Sequence, residues 1–116
     1  MVDAIYSALS GLQAFGRKLG VTAHNVANLN TDGFKKSRAL FEEASPSGVA
    51  VRVDRVDSPG APIPSEDGTG VPRESSNVTV EEEMVSLVTT RNSYTANLKT
   101  VQVEEELVGT LLDVID

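Results

Sequence analysis

The chain has 116 residues and a formal net charge of −7, with 40% hydrophobic but only 4% aromatic residues. This length supports one domain with a modest core. The acidic balance argues against a nucleic-acid partner, which requires a basic face. The absence of cysteine excludes disulfides and thiolate metal sites.

The chain opens with MVDAIYSALSGLQAF, in which no basic n-region precedes the apolar stretch, so no cleavable secretory signal is expected. Arg17 and Lys18 break the only stretch that approaches a membrane span, so no membrane insertion is expected either. Residues 3–28 predict a helix. Ile5, Leu9, Leu12, Leu19 and Val26, with Gly16 and Ala23 between them, fall on alternating steps of four and three and predict a packing seam. Gly11, Gly16 and Gly20 each cost such a helix up to ~1 kcal/mol relative to alanine. It therefore needs a partner to stay folded.

The helix runs out in HNVANLNTDGFKK, residues 24–36, which holds more amide side chains than a helix stop requires. Asparagine and aspartate bond neighbouring backbone amides and tolerate left-handed backbone, which glycine adopts without steric cost. Asn28, Asn30, Asp32 and Gly33 can thus cap the last carbonyls and turn the chain, with Gly33 expected at positive φ. A second reading has Asn25 and Asn28 presenting their amides to a neighbouring chain.

Residues 48–56, GVAVRVDRV, alternate like a half-buried strand, and 37–43 are a weaker candidate for its partner. Residues 57–77 hold four prolines and three glycines and read as a long loop. Residues 79–115 predict a second, longer helix. Thr79 and Glu82 form a capping-box pattern, and Glu81–Glu83 lie on the positive end of the dipole. Its seam runs through Met84, Leu87, Arg91, Tyr94, Leu98, Val101, Glu105, Val108, Leu112 and Ile115, apolar at all but Arg91 and Glu105. At ~1.5 Å per residue this helix reaches on the order of 55 Å, so it must project from a globule about 30 Å across.

Residues 1–40 carry five basic against two acidic residues, and residues 77–116 two basic against eight acidic. The two helices should therefore pair, antiparallel because the chain reverses between them. Val85, Val88, Val103, Leu107, Leu111 and Val114 lie outside the seam, as do Ala4, Ala8, Gly11 and Phe15 on the first helix. Two helices cannot bury stripes that wide against each other alone; the remainder must meet other subunits or another protein.

Two segments carry a resemblance. Asn25, Val26, Ala27, Asn28, Thr31, Gly33, Phe34 and Lys35 follow a pattern N-[IVL]-A-N-x-x-T-x-G-[FY]-[KR]. Ser76, Asn77, Val78, Glu83, Met84 and Val85, then Arg91, Ser93, Tyr94, Ala96 and Asn97, follow a second pattern, S-N-V-x-x-x-x-E-[ML]-V and R-x-[AS]-Y-x-A-N. In this order the two resemble the terminal signatures of bacterial flagellar basal-body rod and hook axial proteins; Gly16, Gly20 and His24 depart from the pattern. The resemblance implies a mainly α fold, an antiparallel, coiled-coil-like pair of long helices with a small β/loop insert. Residues 1–33 would be the N-terminal axial helix and turn, 34–76 the insert, short as in proximal rod members, and 77–116 the C-terminal axial helix. It further implies a structural subunit of the motility organelle that self-assembles with other rod subunits in the periplasm-spanning rod after type III export, without cofactor.

No catalytic or metal site is expected: His24 is the only histidine, and consecutive glutamates point around a helix rather than to one point. An alternative of another class is a small acidic type III export chaperone that binds client helices.

Overall fold

Two long helices dominate the computed structural model, which describes residues 2–66, 68 and 70–115. Helix α1 spans Val2–Ala27. It is followed by strands β1 (Ser37–Glu43) and β2 (Val49–Arg55), a short ladder of β3 (Pro62–Ile63) and β4 (Arg73–Glu74), and helix α2 (Val80–Ile115). β1 and β2 form an antiparallel hairpin with Ser37 opposite Arg55 and Glu43 opposite Val49. The loop expected over 57–77 contains the β3–β4 ladder, extended by the Ser75 N–H donating to the Ala61 carbonyl at 2.8 Å. Asp67 and Thr69, in the same expected loop, lie outside the described residues.

The helix contacts pair Ala8 with Asn97, Thr22 with Ser86 and Asn25 with Glu83, so partner numbers fall as α1 advances and the pair is antiparallel. Counting back from Ala8, α1 begins roughly level with Val103, and about three turns of α2 run on alone. The molecule is 81 × 25 × 14 Å, with a radius of gyration of 20.6 Å against roughly 13 Å for a compact chain of this length. The long helix projects, as its length requires.

The hairpin rests on α1 and not on α2. Phe41 meets Phe15 edge-on, with ring centroids 5.3 Å apart, and Lys18 Nζ lies 5.6 Å from the centre of the Phe41 ring. Ser10 Oγ accepts the Val49 N–H at 3.1 Å while donating to the Ser7 carbonyl at 2.8 Å. One hydroxyl thus ties the start of β2 to the helix beneath it.

Among the described residues the buried apolar side chains are Ala8, Ala14 and Val78, and the buried polar ones are Thr22, Asn25, Ser76, Glu83 and Thr90. The interior is more polar than apolar. The large aliphatics stand outside.

Candidate interaction site

The amide-rich turn is built within the chain. Asn25, at the last turn of α1, is 2% exposed. Its Nδ2 donates to the Ser37 carbonyl at 2.9 Å and its Oδ1 accepts the Ser37 N–H at 2.9 Å. The side chain thereby engages both backbone groups of the first residue of β1, as a neighbouring strand would. The same Nδ2 donates to Glu83 Oε1 at 3.2 Å, so α1, β1 and α2 meet at one amide.

Asn28 does the ordinary capping work: its Nδ2 donates to the His24 carbonyl at 3.0 Å and its Oδ1 accepts from the Thr31 hydroxyl at 3.1 Å. Gly33 follows at φ 73°, as expected, and its N–H donates to the Glu74 carbonyl at 2.9 Å. Phe34 closes the turn, donating its N–H to the Thr31 carbonyl and setting its ring edge-on to His24 at 5.5 Å.

Asn77 performs the matching task from the other side. Its Oδ1 accepts the Lys36 N–H at 2.7 Å, and its Nδ2 donates to the carbonyls of Val56 at 2.8 Å and Ser58 at 3.0 Å. It joins the entrance of β1 to the exit of β2 just before α2 begins. Lys35 pairs with Glu74, and Lys36 Nζ meets Glu82 Oε2 at 3.0 Å. Glu82 therefore bonds across the turn, where the capping-box pattern predicts a reach back to Thr79. Near the far end, Asn97 Nδ2 donates to the Ala8 carbonyl at 2.7 Å through the space left by Gly11, where an added Cβ would sit 2.4 Å from that nitrogen.

Glu83 is the one buried carboxylate of the junction. Burial raises its carboxyl above the usual range; the Asn25 hydrogen bond and the Lys36 charge act in the opposite direction, and the Glu82 charge adds to the rise.

The helix contact itself differs from the expected seam. The facing residues are Ala8, Gly11, Phe15, Lys18, Thr22 and Asn25 on α1 and Glu83, Ser86, Thr90, Ser93 and Asn97 on α2. This is the same heptad stepping, one residue earlier on each helix. Leu9, Leu19, Val26, Met84, Tyr94, Leu98, Val108 and Leu112, expected between the helices, are exposed, and Ile5, Leu12, Leu87 and Val101 are half-buried. The physical reason is that small and hydrogen-bonding side chains allow the closer approach and are satisfied by the partner helix, which leaves the aliphatic heptad about 100° away. In an antiparallel pair that rotation carries both stripes to the same flank. Leu19 and Tyr94 accordingly share a groove of ≈ 150 Å³ with Phe15, Thr90, Arg91 and Thr95. The molecule thus presents one open side whose groove joins large side chains of both helices, continued by an α2 tail with apolar residues on its surface.

Ser10 and Ser37 carry contacts that no sequence signal singles out, and Gly11, expected only as a weak point and part of an outer stripe, makes room for Asn97. Ser10 has no local signature, and the role of Ser37 is visible only once Asn25 is seen to face it.

Comparison with known proteins bears on these segments directly. Residues 5–35 match the family described as flagella basal body rod protein, and residues 73–114 match the C-terminal family of the flagellar basal body rod proteins FlgEFG. The chain is 49% identical over 43 residues to the flagellar basal-body rod protein FlgG of Bacillus subtilis, covering 37% of this chain and 16% of that protein. It is 34% identical over 71 residues to the flagellar hook protein FlgE of Borreliella burgdorferi, covering 61% of this chain and 16% of that protein. It is 49% identical over 41 residues to the hook protein FlgE of Helicobacter mustelae, covering 35% of this chain and 9% of that protein. The matches thus span a sixth or less of each relative's length. Both terminal signatures nonetheless occur in this chain, in order, with residues 36–72 between them.

Proposed function

This chain belongs to the family of flagellar basal-body rod and hook proteins, and from that premise we propose that it is a structural subunit of the bacterial flagellar rod. It polymerises with itself and with other rod subunits through its two terminal helices. On this reading residues 1–33 and 77–116 are the axial helices and 34–76 the insert that sets their spacing. The subunit leaves the cytoplasm through the flagellar type III apparatus and takes its place in the periplasm-spanning shaft.

One observation carries this reading. Among the described residues Ala8, Ala14 and Val78 are the buried apolar side chains, while Leu9, Leu19, Tyr94, Leu98, Leu107 and Leu111 are exposed. Exposed apolar surface is a liability for a solitary protein and the working surface of a subunit. The internal contacts, hydrogen-bonded and small-residue, fix the shape; the aliphatic stripes supply the cohesion between copies. No step of this mechanism requires a reacting group. The relatives are rod and hook proteins, which supports a structural subunit over an export chaperone.

Leu98→Asp tests it. Leu98 is 41% exposed, so the charge costs the isolated fold little, yet it lies on the side that neighbours would cover. The variant should be produced and exported but fail to support rods and swimming. Normal rods built from it would overturn the interface.

A further inference from the structure

Two surfaces of complementary character lie on the same chain and cannot reach each other. The first is the α2 tail, residues 104–115, which runs past α1. Its exposed carboxylates are Glu105, Glu106 and Asp113, and it has no lysine or arginine. Between these acids Leu107 and Leu111, four residues apart and so on one face, are 51% and 49% exposed. The second is the open-side groove between the helices, bounded by Phe15, Leu19 and Tyr94 with Arg91 at its edge. Arg91 has no carboxylate within ion-pairing distance among the described residues.

We propose that the α2 tail of one copy lies in the open-side groove of a second copy. Leu107 and Leu111 enter the hollow formed by Phe15, Leu19 and Tyr94, and the tail's carboxylates meet Arg91. This rests on the reading of the chain as a polymerising subunit and names the two surfaces that join. The contact must be between copies, because Tyr94 and Leu111 belong to one unbroken helix and are held roughly 25 Å apart along it. A tail-to-groove contact is heterologous: each copy uses a different patch from its partner, so repeating it builds a ring where the rotation closes and an open filament where it does not. Apolar burial supplies the affinity, and the charge pairing selects orientation and speeds encounter.

The chain's lack of cysteine makes the test clean. Leu19→Cys and Leu111→Cys, both at exposed positions, are introduced into separate copies of the full chain, checked by circular dichroism, and oxidised alone and as a mixture, with polymer measured by sedimentation in the same samples. The mixture should give disulfide-linked dimer at least tenfold above either variant alone. Arg91→Glu on the groove partner should reduce that yield, and Glu105→Lys with Glu106→Lys on the tail partner should restore it. Equal cross-linking of Leu19→Cys with itself, or polymer that sediments without any mixed disulfide, would overturn the tail-to-groove contact while leaving the rod-subunit reading in place. Failure of the charge reversal to restore the yield would remove Arg91 from it. Intact tail-to-groove cross-linking with normal rods built from Leu98→Asp would overturn the interface through Leu98 while leaving the tail-to-groove contact in place.

Discussion

Three glycines in one helix should respond to the same substitution with opposite signs. Alanine is intrinsically better than glycine inside a helix by up to ~1 kcal/mol. At Gly16 and Gly20 nothing lies within 4 Å of an added Cβ, so Gly16→Ala and Gly20→Ala should each realise most of that gain. At Gly11 the new Cβ would sit 2.4 Å from Asn97 Nδ2. Asn97 is the flexible partner and must swing away, giving up its bond to the Ala8 carbonyl, a loss of about 1 kcal/mol. Otherwise the helices separate, at about 1–3 kcal/mol for overpacking. Set against the propensity gain, Gly11→Ala should fall at least about 1 kcal/mol below Gly16→Ala and Gly20→Ala and destabilise the parent by up to about 2 kcal/mol, a fall in melting temperature of up to several degrees. Thermal melts followed by far-UV circular dichroism at low protein concentration measure all three variants. The control is Asn97→Ala: in that background the obstruction is gone, so Gly11→Ala should become neutral or stabilising, with a coupling of at least about 1 kcal/mol in the double-mutant cycle. A Gly11→Ala variant that melts at or above the parent would refute the claim that Gly11 and Asn97 set the helix register.

Gly33 holds φ 73° with open space around it, so Gly33→Val introduces backbone strain and no clash. The expected loss exceeds ~1 kcal/mol, and an unchanged melting point would count against the turn geometry. For Glu83 the sign follows from its raised carboxyl. The folded state holds the proton more tightly than the unfolded chain, so this contribution to stability is fully present below the ordinary carboxylate range and is lost as pH rises through the folded value. Glu83→Gln keeps an acceptor for Asn25 and removes the charge. It should therefore equal or exceed the parent in stability at neutral pH, with the difference closing on acidification; denaturant titrations at several pH values decide, and a parent more stable than the variant at neutral pH would contradict the assignment.

The elements were legible because their signals are local. Alternating valines mark β2, the run of glutamates after Thr79 marks the start of α2, and the turn residues around Asn28 and Gly33 act on their own neighbours. The insert's short ladder was not legible: two-residue strands have no periodicity to display. Hydrophobic periodicity places the helix contact one residue late for a more instructive reason. Hydrophobic periodicity finds the heptad with the largest aliphatics, and in a self-contained hairpin that heptad faces the partner helix. Here Ala8, Gly11, Thr22 and Asn25 face it, and the aliphatic heptad is left for another surface. What Asn25 and Asn77 do depends on Ser37, Lys36 and Val56, a tertiary arrangement that no spacing within the motif encodes.

The same division of labour predicts where an isolated copy is stable. A hydrogen bond contributes about 1 kcal/mol net, and burial of apolar area is the larger source of stability. A chain whose interior is Asn25, Thr22, Thr90 and Glu83 with few buried aliphatics therefore has its strongest local network at the Asn25–Ser37–Asn77 junction and its weakest support in the α2 tail. Amide exchange in dilute solution should show the N–H groups of Gly33, Lys36, Ser37 and Asn77, all bonded within that junction, as the slow ones. The amides of residues 105–115 should exchange fast, because every one of these residues is exposed. Raising the concentration should slow the tail selectively, since assembly covers it while the junction is already complete. Tail amides as protected as those at the junction in a dilute monomer would mean that the helix needs no neighbour, and the case for cohesion between copies would lose its physical basis.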